Sequence, residues 1–335
     1  MKYTSVVKEG INTVHKNWQL ILVQLTAMLI SCVSFFIIVG VPIAFAFIML
    51  GLDLTEILKF EDAAYLFSKS FKLLNKYFGI AVLLLTSILL YFLFAVILFI
   101  FTISGTIGII TNSLLDPAYK FTIAAFFSEG KRRFFPVLGF ALIIGAIFMA
   151  VAFILGILGS GSSAIIEKAK TQEAALALFL GVFFSLILIS IGIASILAIM
   201  SVTTYGFAYL SLNKSRPLDT LRGTIRYLYN NPSSIGFYSI LMLGYIVTGF
   251  LVILIGAPFT LIPLIGPLLS LPYQAITYAI QGYIGLIMLS STFHYYYKTG
   301  WILQSPASRL DLSAFPAAED EQSPAHEPTD ESQQV

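Results

Sequence analysis

Long apolar stretches are the feature that most constrains this chain. Each is longer than the roughly 18 consecutive apolar residues that indicate a membrane span. The six stretches cover residues 18–52, 77–115, 134–158, 175–212, 235–262 and 265–297. Only 11% of the residues are charged, whereas about a quarter of an ordinary soluble domain is charged. The sequence therefore predicts an all-α fold, a polytopic transmembrane helical bundle, and excludes a soluble domain.

Several of these stretches are too long for one straight span. A helix of ~35 residues is over 50 Å long, whereas the hydrocarbon core is ~30 Å thick. Within the first stretch, Val39-Gly40-Val41-Pro42 offers a break, because Pro removes an amide donor. If the first two stretches are hairpins, 17 of the 19 basic residues become cytoplasmic and only Lys168 and Lys170 lie outside. We therefore predict repeated helical hairpins with eight membrane segments, and six spans are the alternative.

The eight-segment arrangement also predicts an orientation. It places both termini and residues 59–76 and 120–133 in the cytoplasm, and residues 160–174 outside. A flexible link at residues 159–163 is expected to open this external loop, because its sequence is Gly-Ser-Gly-Ser-Ser. Proline residues at 263 and 267 are expected to close a tight turn in the last hairpin.

An internal repeat predicts where further helices begin. Residues 62–67 and 116–121 are identical at four of six positions, and Asp219 occupies the corresponding place in a third unit. An Asp is well suited to the N-cap position of a helix. Asp62, Asp116 and Asp219 are therefore predicted to start helices, and the N-terminal segment forms a fourth unit.

The segments at these starts are amphipathic, which is typical of helices lying in the membrane interface. One face of each is apolar and the opposite face carries basic or polar residues. In the N-terminal segment the apolar face consists of Val7, Ile11, Val14 and Trp18. After Asp219 it consists of Leu221, Ile225 and Leu228. We predict that these in-plane helices lie on the cytoplasmic face of the bundle.

The order of these elements resembles a known group of membrane proteins. An amphipathic helix is followed by a polar aromatic step, such as the sequences at 16–18, 75–78 and 229–232, and then by apolar segments with the turn-like sequence at 39–42. This order is similar to the uncharacterised YciC-like inner-membrane proteins and the glycerophosphoryl diester phosphodiesterase membrane-domain group, over most of residues 1–300. The resemblance implies a fold and a prokaryotic inner (cytoplasmic) membrane. It transfers no catalytic residue, because the separate catalytic domain of the phosphodiesterases is absent from this sequence.

Basic residues form the first candidate site. Each basic residue near an anionic membrane surface contributes ~1 kcal/mol of attraction. The candidate contacts for anionic lipid are Lys120, Lys131, Arg132, Arg133, Arg222 and Arg226. The alternative interpretation is that they only set the topology and attract lipid without selectivity.

Neutral polar residues inside the apolar stretches form the second candidate site. Such groups usually join helices through hydrogen bonds worth about 0.6 kcal/mol each, and lining a polar cavity is the alternative. The candidate polar pathway consists of Gln274, Tyr278 and Gln281, which form one stripe of the last span. Further examples are Gln24, Thr102, Thr106, Thr203 and Thr204.

The sequence contains no pattern for catalysis or metal binding. Cys32 is the only cysteine, and the three histidines have no metal-ligand spacing. His294 lies in a His-Tyr-Tyr-Tyr-Lys sequence, which we interpret as an interfacial aromatic anchor. We expect no catalytic residue, no cofactor and no nucleic-acid partner.

The C-terminal segment differs from the rest in charge. Residues 1–302 carry 18 basic and 10 acidic side chains, a balance of +8, whereas residues 303–335 carry Arg309 and seven acids, a balance of −6. The second segment has too few apolar residues to form a core. We predict a multi-pass domain over 1–302 and a disordered acidic cytoplasmic tail over 303–335, with docking of a protein partner as an alternative role for the tail.

These observations favour a non-enzymatic membrane protein that handles lipid or organises the envelope, with a basic cytoplasmic rim in contact with anionic membrane lipid. The alternative is a secondary transporter or permease for a neutral or amphipathic solute, built from repeated hairpins. A membrane-embedded enzyme that modifies lipid is a third hypothesis, and it needs acid–base or metal chemistry that the spans do not supply.

Overall fold

The computed structural model describes residues 2–49, 78–260 and 265–301, and within these ranges the chain is helical and contains no strand. The nine α-helices of these ranges are α1 Tyr3–Lys16, α2 Gln19–Phe35, α3 Val41–Met49, α4 Phe78–Leu115, α5 Ile123–Lys170, α6 Ala174–Asn213, α7 Pro217–Asn230, α8 Pro232–Thr260 and α9 Ile265–Tyr296. A π-helical turn, Phe36–Gly40, joins α2 to α3, and a second one, Tyr297–Trp301, follows α9.

Six helical segments in the described ranges are long and apolar enough to cross a membrane. They are Gln19–Met49, Phe78–Leu115, Ile123–Lys170, Ala174–Asn213, Pro232–Gly256 and Pro272–Gly300. Their surfaces are largely apolar and exposed, as expected of helices that face lipid. The prediction of a polytopic transmembrane helical bundle is confirmed.

The predicted hairpin in the first apolar stretch is wrong. The chain stays helical through Val39-Gly40-Val41-Pro42, so Gln19–Met49 is one continuous helical segment of 31 residues. The π-helical turn ends two residues before Pro42, and such a turn accommodates the hydrogen bond that proline cannot donate. An open turn inside lipid would leave backbone amides unpaired, which costs several kcal/mol per group (roughly 2–7).

The predicted hairpin in the second apolar stretch is also wrong, because α4 is a single helix of 38 residues. Gly105 and Gly108 lie inside it, where they admit the side chains of Phe126 and Glu129 from α5. Six spans, the alternative, therefore describe these ranges. The predictions for Asp62 and for the cytoplasmic position of residues 59–76 lie outside the described residues.

Helix α5 corrects two further predictions. Residues 159–163 are helical rather than a flexible link, and their serine hydroxyls donate to backbone carbonyls one turn earlier. Asp116 does not start a helix, because residues 116–122 form a short connection in which its carboxylate accepts from the Ala118 amide at 2.8 Å. Thr122 caps α5 instead, accepting from the Ala125 amide at 3.2 Å. A threonine hydroxyl in this role satisfies one of the free amides of the first turn.

Most of the buried residues in the described ranges lie at one end of the bundle. Buried residues are concentrated in the last part of α4, the first part of α5, the last part of α6, the first turns of α8 and the last turns of α9. We call this region, together with α1 and α7, the packed end. Consecutive spans run in opposite directions, as shown by contacts from Asn17 to Ser113 and from Ser31 to Tyr91. The two ends that flank residues 50–77, Met49 and Phe78, therefore lie away from the packed end.

The short helices α1 and α7 pack against the spans. The buried face of α1 consists of Val6, Gly10, Thr13 and Val14, and it contacts α9. The buried face of α7 consists of Thr220, Thr224, Tyr227 and Leu228, and it contacts α6 and α5. Ile11, Trp18 and Ile225, which were predicted on the apolar faces, are exposed. Small and hydroxyl-bearing residues allow closer contact than the apolar residues of the predicted faces.

Tyrosines form the centre of the packed end. Tyr205, Tyr227 and Tyr296 are fully buried, and the ring of Tyr227 contacts the rings of the other two. The Tyr227 hydroxyl pairs with Thr299 at 2.6 Å and accepts from Ser234 at 2.9 Å, and burial raises the pKa of Tyr227 to about 12. The interpretation of residues 294–298 as interfacial anchors is therefore wrong for Tyr296, whose side chain belongs to the core.

The remaining predictions concern prolines and the tail. Pro258 lies inside α8 and Pro272 inside α9. The turn predicted between prolines 263 and 267 lies partly outside the described residues, since α9 begins at Ile265. The predicted acidic tail at 303–335 lies entirely outside them.

The contact between α1 and α9 yields a stability prediction. A Cβ atom added at Gly10 would lie 2.8 Å from the Ser291 amide nitrogen and 2.9 Å from its Cα. Gly10→Ala should therefore destabilise the protein by about 1–3 kcal/mol, as overpacking of a core does, and expose α1 to protease. Gly236→Ala on α8 is the matched control, because no atom of another described helix lies within 4 Å of a Cβ at that position. Equal melting temperatures and protease resistance in the two variants would contradict the described packing.

The continuity of α4 yields a topology prediction. In a Cys32→Ser background, a cysteine at Phe78 should react with a membrane-impermeant reagent from the same side as one at Lys170. A cysteine at Lys120 should react only from the other side. Labelling of intact and of permeabilised cells distinguishes the sides. A Phe78→Cys variant that reacts like Lys120→Cys would support the hairpin arrangement instead.

Candidate functional site: a basic pocket at the packed end

The first turns of α5 bring three ionisable side chains to the packed end. Glu129, Arg132 and Arg133 are separated by three and four residues, so they share one face of the helix. That face lies against α4 at Gly108, where an added Cβ would be 2.9 Å from Glu129 Cγ. The glycine allows the two helices to approach closely enough to enclose the carboxylate.

Glu129 Oε2 pairs with both arginines. It lies 2.7 Å from Arg132 Nη2 and 2.9 Å from Arg133 Nε. Arg133 is 8% exposed and Glu129 is 7% exposed, whereas most of the Arg132 side chain is exposed. Two positive charges share one carboxylate, so the group keeps a net charge of +1.

Helix α6 completes the hydrogen bonding of the buried arginine. Arg133 Nη1 donates to the Ser211 carbonyl at 3.2 Å and to the Ser211 hydroxyl. The Ser211 hydroxyl also pairs with Thr111 of α4. One arginine thus links α4, α5 and α6, which is the arrangement a buried charge needs in order to be stable.

A pocket of about 280 Å³ opens beside this cluster. Its lining residues are Arg132, Arg133, Pro136, Leu210, Lys214 and Ser215. Adding Lys214 to the Glu129–arginine group gives a net charge of +2 at the pocket. Pro136 and Leu210 supply apolar walls, so the pocket combines positive charge with apolar surface.

Lys214 adopts an unusual backbone conformation. It terminates α6 with φ 50° and ψ 35°, and it is the only non-glycine residue with a positive φ in the described ranges. Glycine is the usual residue at this position, because a Cβ atom in the left-handed region costs roughly 1–2 kcal/mol. Lys214 lines the basic pocket and has this strained backbone conformation, so we consider it a candidate functional residue.

The structure separates the six predicted lipid contacts into groups. Arg132 and Arg133 line the basic pocket, although the guanidinium of Arg133 is bound to Glu129 and Ser211 and does not form part of an open rim. Lys120, Lys131, Arg222 and Arg226 are exposed and do not line it. The predicted rim is therefore one structured pocket with separate basic residues around it.

The predicted polar pathway is also divided. Tyr278 lines a second cavity, of about 540 Å³, between α2, α4 and α9, whereas Gln274 is exposed and Gln281 is half-buried outside its lining. Gln24, Thr102 and Thr106 line this cavity with Tyr278. The hydroxyls of Thr203 and Thr204 donate to carbonyls of their own helix, as expected of structural groups.

Several residues of the basic pocket were missed by the sequence analysis. Glu129 was detectable, because an acidic residue four positions before an arginine on a helix indicates an ion pair. Lys214, Ser211 and Ser215 gave no such signal, since their role depends on where α6 ends against α5.

A second ionisable group joins α1 to α9. Glu9 lies 2.6 Å from Lys298 Nζ and 3.3 Å from His294 Nδ1, while His294 Nε2 pairs with Thr13 at 2.9 Å. His294 thus joins two helices, rather than acting as the interfacial anchor that was predicted. Among the described residues, no three His, Cys, Asp or Glu side chains are placed to hold a metal ion.

The buried ion pair yields a stability prediction. Glu129→Gln leaves Arg133 buried without its counter-charge, so the free energy of unfolding should fall by about 3–5 kcal/mol. Glu167→Gln on the exposed end of the same helix is the control and should have little effect. The double variant Glu129→Leu/Arg133→Met should recover much of the loss, because it removes both charges together. Thermal unfolding in detergent measures all three, and a Glu129→Gln variant as stable as Glu167→Gln would contradict the buried pair.

The chain was compared with protein families, with curated proteins and with solved structures. None of the three comparisons finds a match.

Proposed function

We propose that this protein is a non-enzymatic membrane protein that handles lipid or organises the envelope by binding an anionic phospholipid. The observation that carries the proposal is the basic pocket at the packed end, with Arg132, Arg133 and Lys214 around apolar walls. The net charge of +2 at the pocket is complementary to the negative charge of a phosphate group, and the apolar walls can contact the first carbons of an acyl chain.

The chemistry of the pocket favours an anionic headgroup over a free small anion. Guanidinium groups form paired hydrogen bonds with phosphate oxygens, and Arg132 keeps donors free because only one of its nitrogens is used by Glu129. Pro136 and Leu210 offer no polar partner, so they suit hydrocarbon. A phospholipid bound here would place its phosphate against the arginines and its acyl chain against the apolar wall.

The distribution of basic residues supports a cytoplasmic orientation for the packed end. Twelve of the 14 basic residues in the described ranges belong to it, and the other two are Lys168 and Lys170. The twelve are Lys2, Lys8, Lys16, Lys120, Lys131, Arg132, Arg133, Lys214, Arg216, Arg222, Arg226 and Lys298. Lys and Arg are enriched in cytoplasmic segments of membrane proteins. We propose that the protein lies in the cytoplasmic membrane of a prokaryote with its packed end in the cytoplasm. The resemblance to the YciC-like group remains a prediction.

A permease for a neutral or amphipathic solute is the second candidate function. It is favoured by the cavity that Gln24, Thr102, Thr106 and Tyr278 line. Because Gln274 and Gln281 lie outside this cavity, the predicted stripe does not extend it along α9. Solute flux in protein-containing liposomes that exceeds that of empty liposomes would favour the permease over the lipid-binding protein.

Lys214 provides the sharpest test of anionic lipid binding. Lys214→Gly should leave the fold as stable as before or more stable, because glycine adopts a positive φ without strain. The same variant should lose about five-fold in affinity for phosphatidylglycerol, since one basic residue contributes ~1 kcal/mol near an anionic lipid. Native mass spectrometry in detergent, with phosphatidylcholine of the same acyl chains as the competitor, measures the lipid retained.

Two further variants separate a specific site from general attraction. Lys214→Arg keeps the charge and should retain phosphatidylglycerol. Lys131→Gln removes a neighbouring exposed charge that does not line the pocket, and it should bind as the wild type does. If Lys131→Gln weakens binding as much as Lys214→Gly, the basic residues only attract lipid without selectivity and the proposal fails.

A further inference from the structure

A second cavity lies between α2, α4 and α9, away from the basic pocket. It has a volume of about 540 Å³ and is lined by residues of these three helices. Sites for small molecules usually have volumes of roughly 300–1,000 Å³. The cavity is therefore large enough for part of a lipid or for a small amphiphile.

Two hydrogen bonds fix the walls of this cavity. Asn17 Nδ2, in the link between α1 and α2, donates to the Ser113 hydroxyl of α4 at 3.1 Å near the packed end. Further along, Ser31 of α2 pairs with Tyr91 of α4 at 3.1 Å. The positions on α2 and α4 between these two bonds include most of the residues that line the cavity. The space is therefore a feature of the way α2 and α4 are joined.

A buried hydroxyl in the wall lacks a partner. Thr106 is 3% exposed, and its Oγ1 makes no hydrogen bond to any described residue. The neighbouring Thr102 hydroxyl, by contrast, donates to the Leu98 carbonyl at 2.8 Å. A buried polar group without a partner is costly, so Thr106 would gain from a ligand with a hydrogen-bonding group.

The other polar groups of the wall are neutral as well. Gln24 reaches towards α9, where its Oε1 is 2.7 Å from a Cβ position at Gly282, and Tyr278 also lines the space. None of the described lining residues is charged, and the rest of the lining is chiefly aliphatic or aromatic. An ionised headgroup would lose its hydration here without gaining a counter-charge, which excludes an anionic or cationic head.

We propose that this cavity binds an uncharged lipid that carries a hydroxyl group, of the diacylglycerol class, with the head at Thr106 and Gln24. One side of the cavity faces the surrounding lipid, because the lining residue Phe99 is 63% exposed. A lipid can therefore enter from the bilayer and keep its acyl chains there. This inference is independent of the anionic site, which lies on α5 and α6.

Native mass spectrometry with dioleoylglycerol tests the proposal, and dioleoylphosphatidate with the same acyl chains is the charged comparison. Wild-type protein should retain one dioleoylglycerol. Thr106→Val and Gln24→Leu should each reduce its affinity roughly five-fold, as the loss of one hydrogen bond does. Thr26→Val is the matched control, since Thr26 is exposed on α2 and bonds only the Leu22 carbonyl among the described residues.

The melting temperature of each variant distinguishes a loss of lipid binding from a loss of folding. Thr106→Val removes an unpaired buried hydroxyl, so its melting temperature without lipid should equal or exceed that of the wild type. Added dioleoylglycerol should raise the melting temperature of the wild type more than that of Thr106→Val, because a five-fold weaker affinity gives a smaller stabilisation at the same lipid concentration. If Thr106→Val is unstable, Gln24→Leu and Ala95→Trp, which fills the cavity, provide the same comparison.

Cys32 locates the bound lipid, because it lines the cavity and is the only cysteine of the chain. Dioleoylglycerol should slow its alkylation by N-ethylmaleimide several-fold in the wild type and leave the rate unchanged in Ala95→Trp. The proposal is overturned if Cys32 is not protected. It is also overturned if the variants retain dioleoylglycerol as the wild type does, or if phosphatidate is retained equally and with the same dependence on Thr106.

Discussion

Close approach of helices at small residues is the constraint on which the rest of this bundle depends. In a bilayer the lipid tails are as apolar as the helix surfaces, so the hydrophobic effect does not drive spans together. Association must come from packing and from hydrogen bonds. At the packed end both are present: Gly10 lies against Ser291, Gly108 against Glu129, and Gly206 against Phe140. In each case a side chain of one helix occupies the space that a missing Cβ leaves on another.

The same close approach explains how the packed end can contain charge. Glu129 and Arg133 are enclosed because α4 presents Gly108 to Glu129 and α6 presents Ser211 to Arg133, so that the three helices lie close together. The ion pair thus depends on the glycine contact at Gly108, which lies directly against Glu129. Further from this end the packing is loose: between Ile144 of α5 and Ser201 of α6, only Ala169 and Ala177 are buried. The charged and hydrogen-bonding side chains of α5 and α6 that could bind a ligand are therefore concentrated at the packed end, where these helices are in contact.

Much of the architecture was predictable from the sequence, because a membrane helix needs a long apolar run. The stretches 77–115 and 175–212 were located within one residue of α4 and α6. The internal breaks were not predictable from residue type alone. Gly and Pro at 39–42 would end a helix in water, but in lipid the backbone has no other partner and the chain forms a π-helical turn.

The candidate site was predictable only in part, for a related reason. Arg132 and Arg133 were recognised by their charge, and Thr106 and Gln24 by their polarity within apolar stretches. Which of these residues share a cavity depends on helix rotation and on the place where each helix ends. Tyr278 and Gln281 are three positions apart, yet only Tyr278 reaches the space between α2, α4 and α9. Periodicity groups residues on one helix but does not identify the neighbouring helix.

The short connection between α5 and α6 bears on how the protein is inserted during synthesis. Only residues 171–173 separate the two helices, which are 48 and 40 residues long. A connection of three residues is too short for α5 to insert first and for α6 to insert in a separate later step. With the packed end in the cytoplasm, as proposed above, the pair is expected to enter the bilayer as one hairpin whose tip crosses it. Its tip carries Glu167, Lys168, Lys170 and Glu173, whose charges sum to zero, so the membrane potential exerts no net force on its passage.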